Sequence, residues 1–383
     1  MSNSAVYITR TASFLPNDPV SNEDMEKVLG QVGDRPSRAR RMILRSNGIR
    51  QRYYAIDPAT GKHNYTNAQL AAEAVKKLFD QRFTPEKLSC LAAATTIADQ
   101  LMPGHASMVH GELGSPPCEI VTTAGVCACG MTAFKYAWLN VLSGLHSSAV
   151  ATASEAASYT MQAANFQPEI EHQLEALERQ PELAFEKDFL RWMLSDGAGA
   201  LLLESSVPQG QRALKIEWLD IFSYANEMSA CMYAGARKNN DGSLTGWQQL
   251  SRDQVEQESL LSVKQDVKQL NEHIIAYTAE RPLQVLQDKY GVRPGDIDHF
   301  LPHYSSGYFR DRLYEGIRRA GFDIPLNRWF TNLTEKGNTG SASMYIMLDE
   351  LFSSGRLQPG EKILCYIPES GRFSVAWLLL TVV

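Results

Sequence analysis

Basic residues are in short supply here: 37 Lys and Arg stand against 43 Asp and Glu, a formal net charge of −6. Proteins that grip nucleic acid through its phosphates show the opposite balance, which argues against that class. Met1 to Leu15 holds no apolar core of the kind a secretory signal needs, so a cytoplasmic protein is expected. Nor does any apolar run reach spanning length. The longest, Phe373 to Val383, is about half of a membrane-crossing helix and reads as a buried strand, so no membrane partner is expected. The six cysteines include no CxxC pair, which suggests reduced thiols. Cys127-Ala-Cys129 has the wrong spacing for a zinc knuckle, and no second pair completes it. Neither a metal nor a cofactor is expected.

What is present is an ordinary globular composition, 44% hydrophobic and 21% charged. At 383 residues the chain is long for one core and suggests two domains or a duplicated one. Spacings favour duplication. Val6-Tyr-Ile-Thr and Leu214-Lys-Ile-Glu-Trp-Leu are similar strand-like openings. A helical stretch, Asn67 to Phe79, precedes Pro85-Glu-Lys-Leu and the apolar run from Leu91; another, Ala276 to Tyr290, precedes Pro294-Gly-Asp-Ile and the run from Phe300. Cys127 lies 16 residues before Ser143-Gly144, and Asn338 lies the same 16 before Ser354-Gly355. Ser195-Asp-Gly-Ala-Gly-Ala and Glu369-Ser-Gly-Arg-Phe then read as matching turns into the last strand of each half. The expected halves are 1–207, with extra helical residues at 159–192, and 208–383. Alternating strands and helices predict α/β layers around buried, largely parallel sheets.

Cys127 falls where a buried strand, Val121 to Val126, turns into a helix, Gly130 to Leu142. The unpaired N–H groups and positive end of that helix should lower its thiol pKa and favour a thiolate nucleophile. Cys129 is outside the 16-residue register and reads as a structural thiol. His303 follows Pro302 at the end of an apolar strand, and Asn338 opens a helix in Lys336-Gly-Asn-Thr-Gly-Ser. Alone, each has a plain structural explanation, a loop histidine and an N-cap asparagine. In the order Cys, His, Asn across a duplicated frame they form a specific pattern.

Cys127-Ala-Cys-Gly-Met-Thr-Ala-Phe, Ser195-Asp-Gly-Ala-Gly-Ala, Leu301-Pro-His and Gly337-Asn-Thr-Gly-Ser-Ala-Ser resemble ketoacyl-acyl carrier protein synthase III. The resemblance implies a thiolase fold, two α/β halves layered αβαβα, in a homodimer. It also implies that Cys127 accepts an acyl group from a thioester, while His303 and Asn338 donate hydrogen bonds to the enolate of a second thioester. The carbanion then attacks acyl-Cys127, with the Cys127 N–H and one N–H of the 369–372 loop as oxyanion donors.

The chain departs from that family in four places. Arg38-Ala-Arg-Arg-Met-Ile-Leu lacks the aromatic platform for coenzyme A, which favours carrier-protein donors. The triple-glycine loop is replaced by Pro368-Glu-Ser-Gly-Arg-Phe, so Ser370, Gly371 and Arg372 are candidate substrate contacts beside an unexplained Glu369. Met102, before Pro103, takes the place of a glutamate found in non-decarboxylating relatives and reads as tunnel lining. Extra residues near 156–192 and 223–260 suggest additional helical elements and a bulky substrate. These features most resemble ketosynthases of bacterial secondary metabolism that form dialkylresorcinols or cyclohexanediones. Seven arginines between Arg35 and Arg52, and four more including Arg310 and Arg318, offer a docking face to an acidic acyl carrier protein with its phosphopantetheine. Two other functions remain open: acyl transfer from Cys127 to oxygen or nitrogen, and a non-catalytic subunit of a heterodimeric ketosynthase.

Overall fold

The computed structural model describes residues 5–32, 40–166 and 190–383. Most of the expected extra segment at 159–192 lies outside the described residues, as do Arg35 and Arg38.

Nine strands form the main sheet: β1 (Tyr7–Phe14), β2 (Cys90–Thr95), β3 (Glu119–Ala124), β4 (Ser148–Glu155), β5 (Gly197–Glu204), β6 (Leu214–Ser223), β7 (His299–Pro302), β8 (Lys362–Glu369) and β9 (Ser374–Val382). Their order is β7-β8-β9-β6-β1-β5-β4-β2-β3. The seam is β1 against β6, joined through Tyr7↔Lys215 and Ile8↔Leu214. Outward from it the order is β5-β4-β2 on one side and β9-β8-β7 on the other. Those strands follow one another in the same relative sequence on each side, which accords with the repeated spacings. The C-terminal apolar run is strand β9, buried along most of its length.

The sheet is less parallel than expected. Only β7 with β8, β2 with β3 and β2 with β4 run parallel. β5 opposes both β1 and β4, and β9 opposes both β8 and β6. The physical reason is local: β9 returns from β8 through the short loop Ser370–Phe373, and a short return reverses the chain.

Among the described residues, the longer helices over these strands are α1 (Asn67–Lys76), α2 (His105–Leu113), α3 (Cys129–Leu142), α4 (Val267–Ile275), α5 (Arg281–Tyr290), α6 (Tyr308–Arg319) and α7 (Ser343–Ser353). Three apolar clusters mark the layers. One packs Leu70, Ala71 and Val75 of α1 and Val109 of α2 on Leu91, Val150 and Leu202. Another packs Leu270, Leu283 and Leu313 from α4, α5 and α6 on Phe300, Leu364 and Trp377. Between them, α3 and α7 share one cluster, Phe134 and Ala137 with Tyr345 and Leu348, lined by strands from both sides of the seam. That is a thiolase-type αβαβα arrangement, with two helices enclosed on both faces.

Local chemistry sets the helix limits. Thr66 and Gln69 form a reciprocal capping box at the start of α1. The Asp99 carboxylate accepts from the Asn67 and Ala68 N–H groups at 2.8 and 3.0 Å. The helix expected over 276–290 instead opens with a wide turn, Ala276–Glu280, before α5. Pro282 explains it: proline has no N–H to return to the carbonyl four residues back, that of Thr278. The indole N–H of Trp377 donates to that carbonyl instead, at 3.1 Å.

Candidate active site

Three chain segments converge on one cavity. Cys127 sits between the end of β3 and the start of α3; His303 follows β7; Asn338 lies in the loop before α7. The cavity is lined by all three residues. Each is buried, with Cys127, His303 and Asn338 only 9%, 4% and 3% exposed. The rest of the wall is largely apolar: Met232, Leu270, Ile274, Phe309 and Leu313, with Gln265, Ser370 and Tyr366 as polar interruptions.

Backbone bonds fix the two donors. The His303 N–H donates to the Tyr366 carbonyl at 2.8 Å, extending the β7–β8 pairing by one residue. The Asn338 N–H donates to the Met193 carbonyl, and its own carbonyl accepts from the Ser195 N–H, both at 2.9 Å. Gly340 N–H donates to Asn338 Oδ1 at 3.0 Å, so the end of the side chain left to serve a ligand is its NH₂ donor. The Ser195-Asp196 motif thus braces the Asn338 loop. Ser195 Oγ accepts from the Tyr53 N–H at 2.9 Å, and the buried Asp196 carboxylate accepts from the Ala55 and Ser158 N–H groups.

Burial lowers the His303 pKa to about 4, so the imidazole is neutral at neutral pH and retains one N–H to donate. The Cys127 expectation needs correction. Burial pushes this thiol up from its ordinary value, and the nearby Glu369 and Glu155 carboxylates push it further. The helix end that should have lowered it is already engaged. Glu369 Oε2 accepts from the Val126 and Ala128 N–H groups, at 3.1 Å each.

Of the four candidate substrate contacts, only Ser370 lines this cavity, where its hydroxyl donates to Gln265 Oε1 at 3.2 Å. Gly371 turns its carbonyl to the Cys231 N–H at 2.9 Å. Arg372 is exposed, and its Nε donates to the Met228 carbonyl at 2.7 Å, away from the cavity. Met102 does not line the cavity either. Its loop faces outward, leaving Leu101 and Met102 80% and 82% exposed. The segment 223–260 is chiefly loop and turn, with a small hairpin of Ala236–Lys238 against Leu244–Gly246 and one short α-helix, Arg252–Gln257. It places Met232 in the cavity wall, a contact that spacing and periodicity had no means of finding.

Arg310 and Arg318 are exposed on α6, whose other face supplies Phe309 and Leu313 to the cavity. Both have acidic neighbours: Arg310 pairs with Asp311 at 3.3 Å, and Arg318 with Glu315 and Asp323 at 3.5 and 3.6 Å. Among the described residues, one group of three has ligand atoms close enough for a metal ion: Cys90, Glu119 and His146, within 4.8 Å of one another. It lies at the opening ends of β2 and β3, remote from the turn that holds Cys127, and Glu119 already accepts from the Tyr136 hydroxyl. No helix among the described residues is long and apolar enough to cross a membrane.

Residues 287–368, which include His303 and Asn338, match the C-terminal family of 3-oxoacyl-[acyl-carrier-protein] synthase III. Acetoacetyl-CoA synthase NphT7 of Streptomyces sp. strain CL190 is 25% identical over 93% of both chains. The β-ketoacyl-[acyl-carrier-protein] synthase III of Rhizorhabdus wittichii is 23% identical over 92% of this chain and 91% of its own. Among solved structures, the tetronic acid condensing enzyme AbyA1 superposes with a TM-score of 0.74 at 19% identity, over 98% of this chain and 99% of its own. OleA of Xanthomonas campestris, solved with lauric acid and lauroyl-CoA, gives 0.72 at 20% identity, over 99% of both chains. With the αβαβα layers and these relatives in view, the chain has the fold of the thiolase-type condensing enzymes and is similar in sequence to ketoacyl-acyl carrier protein synthase III.

Proposed function

We propose that Cys127 carries the acyl group and that His303 and Asn338 stabilise the enolate of the second thioester. The observation that carries this reading is the meeting of all three side chains in one buried, largely apolar cavity. The neutral His303 ring and the Asn338 NH₂ both donate, which suits an oxygen that becomes negative as the carbanion forms. Carbon dioxide loss from a malonyl-type unit, or proton loss from a β-ketoacyl unit, supplies that carbanion. Its attack on acyl-Cys127 forms the new carbon–carbon bond and releases the thiolate.

The proposed substrates are acyl chains on the phosphopantetheine of an acyl carrier protein. The absence of an aromatic before Ile49 argues against coenzyme A, and α6 offers Arg310 and Arg318 beside the cavity for docking. Their acidic neighbours reduce the net charge of that face, so docking there would lean on exchange of partners between acids. The proposed assembly is a homodimer, for which the exposed apolar pair Leu101 and Met102 supplies surface to cover. The proposed product class is the dialkylresorcinol or cyclohexanedione type.

Intact-mass measurement with a panel of acyl-carrier thioesters, followed by peptide mapping, tests the reading. An acyl group should appear on Cys127 and none on Cys129. Acylation of Cys129 with Cys127 unmodified would overturn the assignment, and release of an ester or amide would indicate transfer to oxygen or nitrogen.

A further inference from the structure

A strand-to-helix turn ordinarily presents its unpaired N–H groups to the residue held there, and a thiol in that setting becomes more acidic. Here a carboxylate has taken those groups. Glu369 ends β8, and its Oε2 accepts from Val126 and Ala128, the residues on either side of Cys127. Successive side chains on a strand point to opposite sides. Pro368 and Ser370 line the cavity, and Glu369 does not; it reaches behind the nucleophile. Two glycines leave room for it. A Cβ on Gly125 would come within 3.5 Å of Glu369 Oε2, and one on Gly371 within 3.3 Å of Oε1 and 3.0 Å of Val126 Cγ2.

The charged and titratable groups around Cys127 come from four elements. Glu369 approaches from β8, Glu155 from the end of β4, and Cys129 from α3. His303 and Tyr366 share the cavity from β7 and β8. His303 is neutral at working pH, so among the described residues lining the cavity no cation offsets the two carboxyl groups, whose own pKa values burial raises. Glu155 is held by the N–H and hydroxyl groups of Thr96 and Ser341, bracing the loop that carries Asn338. Glu369 holds only the two amides that flank the nucleophile.

We propose that Glu369 is a positioning residue that occupies the amide donors beside Cys127 and thereby limits how much of the nucleophile is thiolate. The proposal rests on the reading of Cys127 as the acyl carrier. In loading, the bond from Cys127 Sγ to the acyl carbon forms and the bond from that carbon to the pantetheine sulfur breaks. The Cys127 proton ends on the departing pantetheine thiol, with no change of oxidation state. Glu369 governs the first event, loss of the proton from Sγ.

The test is the pH dependence of Cys127 alkylation by iodoacetamide, followed by peptide mass, in the wild-type chain and in Glu369→Gln and Gly371→Ala. The glutamine amide oxygen can still accept both N–H groups, but the charge is gone; the alanine methyl presses on the carboxylate and on Val126 and shifts them by a few tenths of an ångström. Both variants should move the alkylation midpoint to lower pH. Each unit of the shift raises the thiolate fraction tenfold and lowers its nucleophilicity by roughly 10^0.4–10^0.5, so alkylation below the midpoint should quicken by about threefold per unit. Thermal melting in parallel shows whether each variant is folded. A midpoint that stays put or rises in folded Glu369→Gln, with acyl groups still mapped to Cys127, overturns the role of Glu369 alone. Acyl groups mapped elsewhere overturn the reading of Cys127 itself.

Discussion

At the scale of single residues, the three chemical groups reach one cavity from three separate segments of chain. The 16-residue register singles out Cys127 and Asn338, and the resemblance at Leu301-Pro-His adds His303. The acidity of Cys127 was not legible, because it depends first on burial and then on Glu369, which reaches the turn from the far part of the chain. The same holds for Met102 and Arg372. Their neighbours in sequence suggested a cavity wall, but a side chain's direction is decided by packing, and both point outward. The roles proposed for His303 and Asn338 separate in time from that of Cys127. His303→Ala and Asn338→Ala should therefore still form acyl-Cys127, while condensation slows by roughly 10²–10³, the usual effect of deleting one oxyanion donor. Loading is read by intact mass and condensation by product formation from preloaded enzyme. Loss of loading with condensation preserved would require the roles to be exchanged.

At the scale of elements, strands and helices were legible where apolar periodicity was strong. The expected strands at Val6, Leu91, Leu214 and Phe300, and the helix after Cys127, all appear within a residue or two. Strand direction was not legible, since it depends on which neighbour a strand finds. The wide turn at Ala276–Glu280 was missed, since Ala276 to Tyr290 reads as one helical stretch, and its partner Trp377 could not be named from spacing. One close approach between elements brings α3 against the chain entering α7. A Cβ on Gly130 would stand 2.4 Å from the Ser341 carbonyl oxygen, while the Tyr345 hydroxyl donates to the Gly130 carbonyl at 2.7 Å. Both sides of that contact are backbone, so neither yields by changing rotamer. Gly130→Ala should cost about 1–3 kcal/mol of stability, the usual range for overpacking. Because α3 carries Cys127 at its start and α7 follows Asn338, activity should fall further than stability alone predicts. Urea unfolding and product formation measured on the same sample decide this; unchanged stability would mean that the two helices can separate freely.

At the scale of the whole molecule, a net charge of −6 says little about how stability responds to acid, because the buried groups oppose one another. His105 and His303 are held neutral by burial, each with its pKa lowered from 6.5 to about 4. Between those values the unfolded chain binds a proton that the folded chain refuses, so each histidine makes stability rise with pH across that window. Asp196 acts in the other direction. Burial raises its pKa from 3.8 to about 7, so the folded chain keeps a proton that the unfolded chain releases, and stability falls with pH between those values. A single acid-unfolding curve therefore mixes both signs, and only a difference between variants isolates one group. His105 is suited to this, being 1% exposed at the start of α2, with Nε2 3.0 Å from Ser154 Oγ, outside the cavity. Glutamine there can still bond to Ser154 but does not titrate. The stability of the wild-type chain relative to His105→Gln should grow by roughly 3 kcal/mol from pH 4 to pH 7, at about 1.36 kcal/mol per unit through the window. Urea unfolding at a series of pH values measures it. Parallel curves for the two proteins would show that His105 takes up its proton in the folded state as readily as in the unfolded one.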